Sequence, residues 1–194
     1  QLLQKLKNYA WQLHYSERLP LVELAIPALK EMSAEQYKVF YSRLKILAMS
    51  DLSLSVFEWC MLQLIQLYLQ AHFKGPDRRF ETSGREKQLS EEISHVLSII
   101  ALQDKISAEA AFNSACVMGG FTIASFRPHV NFKQLDLSLH HLGRALPHIK
   151  GRLLKAMYAA AEEDGMVRIE ERDLIKTIAA IIEIPSINTD PTFN

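Results

Sequence analysis

The stretch YAAAEEDGMVRIEERDLI, Tyr158 to Ile175, gathers the side chains best suited to hold a hard cation: Glu163, Asp164, Glu170 and Glu171. Calcium sites need several convergent oxygens, so closely spaced carboxylates are the first pattern to test. Setting Gly165 as the sixth position of an EF-hand loop puts Asp164 at five, Val167 at eight and Glu171 at twelve. The same register puts Ala160 at position one, where the first carboxylate belongs, and the DxDxDG core is missing. Two readings remain. The acids form a looser metal site, or they cap a corner between two helices, because the positive end of a helix dipole attracts carboxylates without any ligand.

Other chemistry finds less support. His140 and His141 are adjacent, so they point to different sides of a helix, and Gly143 and Pro147 lie between His141 and His148. A transition-metal site needs convergent ligands, and this spacing supplies none. No G-x-S-x-G occurs, and no Cys lies near a His. VMGGFTIASF has the glycines of a phosphate loop but not its Lys-Ser/Thr end. Cys60 and Cys116 sit in apolar helical patterns and read as small core residues of a reducing compartment. The residues therefore assign no catalytic group and no cofactor site.

The elements that must position these side chains are helices. The chain has 194 residues, 48 % of them hydrophobic and 23 % charged, which suits an ordinary globular fold. Its 22 basic residues balance 22 acidic ones, so no overall basic excess suggests a nucleic-acid or anionic-membrane surface. No apolar run reaches the roughly 20 residues of a membrane-spanning helix. The chain starts at Gln1 rather than Met and carries no signal peptide, so it reads as a piece of a longer protein.

Glycine and proline stand between runs of helical period. LPLVELAIPALKEM places Leu21, Leu24, Ala25 and Leu29 at helical spacing, with Pro27 as an expected kink or break. Ser33 to Gln36 and Ser55 to Glu58 are capping boxes. After the first, Tyr37, Phe40, Leu44 and Leu47 share a stripe; after the second, Phe57, Met61, Leu64, Ile65 and Tyr68 do. HFKGPDRRFETSGREK reads as an exposed mobile loop, residues 72–87, whose central Arg78, Arg79 and Phe80 are candidate partner contacts. Helical period resumes over LSEEISHVLSIIALQD. Ser107 caps the next run, Gly119-Gly120 breaks it, and FTIASF reads as a short helix or linker. Pro147 suits a first helical turn, and a last helix is expected from about Ile169 to Glu183. Trp11, Trp59, Phe57 and Tyr68 are either core or a handle for partners.

An internal repeat appears when Asp51 is set over Asp164. In both places an apolar helix is followed by Asp, an aliphatic residue three positions on (Leu54, Val167), a Glu seven positions on (Glu58, Glu171), and a second apolar helix. The aliphatic residue should anchor the turn in the core. Gly165 can take the left-handed conformation that ends a helix; Leu52 stands in its place in the first unit.

These residues resemble a family. EEDGMVRIEERDL is similar to the A-D-G-x-(I/V)-x-x-x-E signature of TerB-like domains, which are all-helical modules. LPLVELAIPALKEMSAEQYKVFYSRLKILAMSDLSLSVFEWCMLQLI resembles the C-terminal soluble region of HtpX-like bacterial membrane zinc metallopeptidases. The likeness covers most of Leu19 to Ile184 and is weakest from His72 to Asn131. The chain departs from the pattern at Ser50-Asp51-Leu52, where Ala-Asp-Gly is usual, and it holds no H-E-x-x-H. The resemblance implies that protease chemistry belongs to another part of a parent chain.

The expectation is therefore all-α: one TerB-like bundle of about seven to nine helices over residues 19–186, with a pseudo-repeat of two helix hairpins. A flanking helix at 1–18 and a frayed tail at 187–194 complete it. The resemblance implies a non-catalytic interaction or regulatory domain on the cytoplasmic side of the bacterial inner membrane, meeting a protein partner or the protease domain of its own parent chain. The alternative it implies is a metal-responsive sensor holding a divalent cation through Asp164, Glu171, Asp51 and Glu58.

Overall fold

The computed structural model describes residues 9, 12–48, 54–74, 86–104, 107–129 and 131–184. Among them are eight α-helices and no strand, as the helical period requires. The expected single bundle is instead two compact units, Gln1–Asp77 and Arg78–Asn194. The boundary falls inside the Gly/Pro- and charge-rich segment expected as a loop, which has too few apolar residues to carry a core across it.

The first unit contains α1 (Tyr15–Lys30), α2 (Ala34–Ala48) and α3 (Val56–Lys74). Both expected capping boxes form. Ser33 N–H donates to Gln36 Oε1 at 2.7 Å while Gln36 N–H donates to Ser33 Oγ at 3.2 Å. Ser55 and Glu58 do the same at 2.9 and 3.2 Å. Each box satisfies N–H groups that the first helical turn leaves without partners. Ile26, Tyr37, Ile65 and Leu69 form the buried cluster that joins the three helices. The Tyr37 ring stacks on Phe73 with centroids 4.8 Å apart.

Two expectations about α1 change. The helix runs through both Pro20 and Pro27 without a break. Each proline removes one backbone hydrogen bond, but packing of Val22, Ile26 and Leu29 against the cluster holds the helix together. The buried face also differs in part. Leu19 and Ile26 are buried, whereas Leu21 and Leu24 are exposed. This helix is apolar nearly all round, so spacing alone does not choose which face turns inward. At its far end α3 carries His72 and Phe73 in its last turn, so the first residues of the segment expected as loop are helical.

The second unit is built around α4 (Ser90–Ala101), entered through a 3₁₀ turn at Glu86–Leu89. Ile93, Ser94 and Val96 through Ala101 are all buried, so α4 is covered on nearly every side. It touches α5 (Ala108–Gly119), α6 (Phe132–Leu142), α7 (Pro147–Ala161) and α8 (Ile169–Ile181). Ser107 caps α5 by accepting from Ala110 N–H at 3.2 Å, Asn131 caps α6, and Pro147 stands in the first turn of α7. The last helix ends at Ile181, two residues short of the expected end.

Gly119-Gly120 ends α5 for two separate reasons. A Cβ on Gly119 would lie 2.6 Å from the Phe121 ring and 2.9 Å from Ala156, so only glycine permits this approach of α5 to α7. Gly120 sits at φ 66°, the left-handed conformation that closes a helix. The chain then runs as an irregular linker along α4. Ser94 Oγ accepts from Ser125 N–H, and Ser98 Oγ from Arg127 N–H, each at 2.9 Å. Two residues of extended chain advance about 6.6 Å and four of helix about 6.0 Å, so serines one turn apart match alternate backbone donors. FTIASF is thus a linker, fastened to α4 by its hydroxyls.

Candidate functional site

The acidic stretch folds into the corner between α7 and α8. The chain leaves α7 at Ala161, Gly165 N–H donates to Glu162 O at 2.9 Å, and Gly165 takes φ 83°. The left-handed freedom expected of this glycine is used here. Asp164 accepts from Met166 N–H at 3.1 Å and from the Arg168 guanidinium. Glu171 accepts from Arg168 N–H at 2.7 Å and from Arg168 Nη1 at 3.1 Å. Nη1 also reaches Gln103 O at 3.4 Å.

Asp164 and Glu171 therefore do converge, but on a cation supplied by the chain. Only 1 % of Glu171 is exposed. Burial raises its pKa above the ordinary glutamate value, and the Arg168 backbone and guanidinium oppose that rise. Ala160, the first position of the EF-hand register, is buried within α7. Glu163 is exposed and Glu170 half-buried on the same corner. Among the described residues no group of three or more His, Cys, Asp or Glu is gathered as metal ligands would be. The sequence-based candidates are all acids, and the residue that joins them is Arg168, four residues after Asp164 and three before Glu171. That helical spacing is the signal that names it.

Of the two residues expected to repeat this arrangement, Asp51 lies outside the described residues. Glu58 accepts from both the N–H and the hydroxyl of Ser55, at 2.9 and 2.7 Å. Glu58 and Glu171 thus do the same work, each accepting the backbone N–H three residues earlier at the start of a helix. Leu54 and Val167 are both half-buried. Arg78, Arg79 and Phe80 lie outside the described residues.

The histidines are dispersed. His95 Nδ1 lies 2.9 Å from Ser138 Oγ, joining α4 to α6, and His141 Nδ1 lies 2.8 Å from Glu92 Oε1. Ser138 is only 4 % exposed, so its hydroxyl ties helices together and is closed to a substrate. His140 and His148 are exposed. Cys60 is buried; Cys116 is half-buried, and burial raises its thiol pKa. A cysteine activated for chemistry is shifted the other way. Trp59 is core, with 1 % exposed.

A different surface stands out on α2. The stripe Tyr37, Phe40, Leu44 and Leu47 begins in the core and runs off it: Tyr37 is buried, Phe40 and Leu44 are half-buried, and Leu47 is 70 % exposed. Val39 and Ile46 are 50 % and 70 % exposed beside it. An open groove of about 590 Å³ runs along this face, from Glu35 and Gln36 at one end, past Val39, Phe40, Arg43 and Leu44, to Leu47. Its walls are almost wholly apolar, although Glu35 and Arg43 are among the residues that line it. Isolated exposed leucines are ordinary; several sharing one helix face mark a contact surface.

Comparison with known proteins gives no match: no protein-family model, no curated protein and no solved structure. Among the described residues no helix is long and apolar enough to cross a membrane.

Proposed function

We propose that this chain is a non-catalytic protein-interaction domain, receiving an amphipathic partner helix on the exposed face of α2. The observation that carries this reading is the apolar groove bounded by Val39 and Leu47, on a helix whose opposite side is anchored through Tyr37. An amphipathic helix lays its own apolar seam into such a groove, and flanking charges set its direction. The resemblance to TerB-like and HtpX-like sequences supports placing the domain at the cytoplasmic C-terminus of a membrane zinc metallopeptidase. There the helix would come from a protein partner, a second copy of the chain included, or from the protease domain of the parent chain. The alternative, a divalent-cation sensor through Asp164, Glu171, Asp51 and Glu58, has less support, since Asp164 and Glu171 already pair with Arg168.

The test is calorimetric titration of the chain with a synthetic amphipathic helix bearing a leucine seam, beside Val39→Asp and Leu47→Asp. Saturable binding weakened about tenfold or more by either aspartate supports the surface, since a buried apolar anchor contributes at least that much. Absence of binding, or binding indifferent to both substitutions, removes it.

A further inference from the structure

The groove on α2 has charges arranged to suit a particular occupant. Glu35 and Arg43 line the same groove, with Val39 midway between them. Eight residues of helix separate the two charges by about 12 Å. A second α2 laid antiparallel across this face, with a two-fold axis passing Val39, brings Glu35 of each copy against Arg43 of the other. Val39 then meets Val39. A two-fold contact requires this property: when one residue meets another, the reverse contact must be made as well. The parallel arrangement sets Glu35 against Glu35 and Arg43 against Arg43, which like-charge repulsion disfavours.

The charges are free to be used this way. Glu35 and Arg43 are both exposed. Among the described residues Glu35 pairs with Lys38 at 3.5 Å, and that pair is open to water, with side chains 80 % and 73 % exposed. An exposed pair of this kind holds its members weakly. No carboxylate among the described residues pairs with Arg43. The apolar part of the contact is Val39 at the axis, with Leu44 and Leu47 to one side of it.

Resting on the interaction reading above, we infer that the helix this face receives is α2 of a second copy of the chain, joined antiparallel about Val39 with reciprocal Glu35–Arg43 pairs. The contact spans one helix face, so the dimer is weak and concentration-dependent, as small interfaces are.

Sedimentation equilibrium of the whole chain across the micromolar to millimolar range tests this, with three variants. Arg43→Glu turns both attractive pairs repulsive and should weaken association about tenfold or more. Glu35→Arg combined with Arg43→Glu restores complementarity and should bring it back to within about threefold. Val39→Cys, with Cys60 and Cys116 as serines, should form a symmetric disulfide under mild oxidation, because two-fold related residues at the axis lie close enough to bridge. Circular dichroism checks that each variant is folded. A chain monomeric throughout the range overturns the inference, and so does a dimer indifferent to Arg43→Glu or not restored by the double reversal. The peptide titration separates this failure from that of the interaction reading. A monomeric chain that binds the synthetic helix through Val39 keeps the surface and loses the second copy; a chain that does neither loses both.

Discussion

Both carboxylate oxygens of Glu171 are held by a single residue: Oε2 accepts the backbone N–H of Arg168 at 2.7 Å, and Oε1 accepts its Nη1 at 3.1 Å. The guanidinium continues to Asp164. One arginine therefore fastens the turn after α7 to the start of α8. The planar fork of a guanidinium suits this task, since it presents several donors in fixed directions.

Removing that arginine leaves two largely buried carboxylates facing each other, with side chains 6 % and 2 % exposed. Breaking a buried pair from one side is more damaging than never having built it. Arg168→Ala should lower Tm by about 5 °C or more. Arg168→Lys should recover only part of this, because an ammonium lacks the fork. Thermal unfolding followed by circular dichroism gives both values.

The same corner predicts the response to metals. With Arg168 in place, Ca²⁺, Mg²⁺, Mn²⁺ or Zn²⁺ after EDTA should leave the Tm of the wild-type chain unchanged, since only a ligand bound to the folded state stabilises it. A shift of several degrees that disappears in Asp164→Ala would instead establish the sensor alternative.

Glu171 also sets a pH dependence. Its folded pKa is raised, chiefly by burial, with Arg168 opposing the rise. The folded state thus holds this proton more tightly than the unfolded chain does. Its favourable contribution is fully present below the unfolded pKa and is lost as pH rises through the folded one. Relative to Glu171→Gln, which does not titrate, the wild-type chain should gain stability on acidification through the range just above the ordinary glutamate pKa. Urea unfolding of both proteins at several pH values measures the difference, and a gap that widens in the opposite direction would reverse the assignment.

The serines of α4 give a prediction about the linker. Ser94→Ala and Ser98→Ala each leave a backbone N–H of the 121–128 segment without its acceptor. Each should cost about 1–2 kcal/mol, the usual penalty for a half-buried donor left unpaired. Amide exchange should accelerate at Ser125 in the first variant and at Arg127 in the second, with little change elsewhere in α4.

Close approach of α5 and α7 gives another. Gly119→Ala puts a methyl into space held by Phe121 and Ala156. Overpacking of this kind costs about 1–3 kcal/mol. Gly119→Ala combined with Phe121→Leu should recover part of the loss, which denaturant unfolding of the single and double variants would show.

Much of this architecture is written in local patterns. Ser33, Ser55, Ser107 and Pro147 mark where helices begin because capping is settled by the first turn alone, and each is found at the start of its helix. Gly120 and Gly165 both adopt the left-handed backbone at the breaks they mark. The acids of the corner were likewise visible, and Arg168 was present at helical spacing from both. Which cation they would face was not visible. A ligand set and a set of ion-pair partners look alike until the third dimension brings a guanidinium or an empty space between them.

By itself the sequence determined the helical class, the starts of the capped helices and the corner at Gly165, because these depend on interactions within about four residues. Tertiary structure decided the rest. It divided the chain near Asp77, turned Ile26 rather than Leu24 inward on a helix with apolar residues on most sides, and left Val39 and Leu47 outside. Period names a stripe but not what covers it. Burial is settled by which surfaces the other helices reach, and that is a property of the assembled chain.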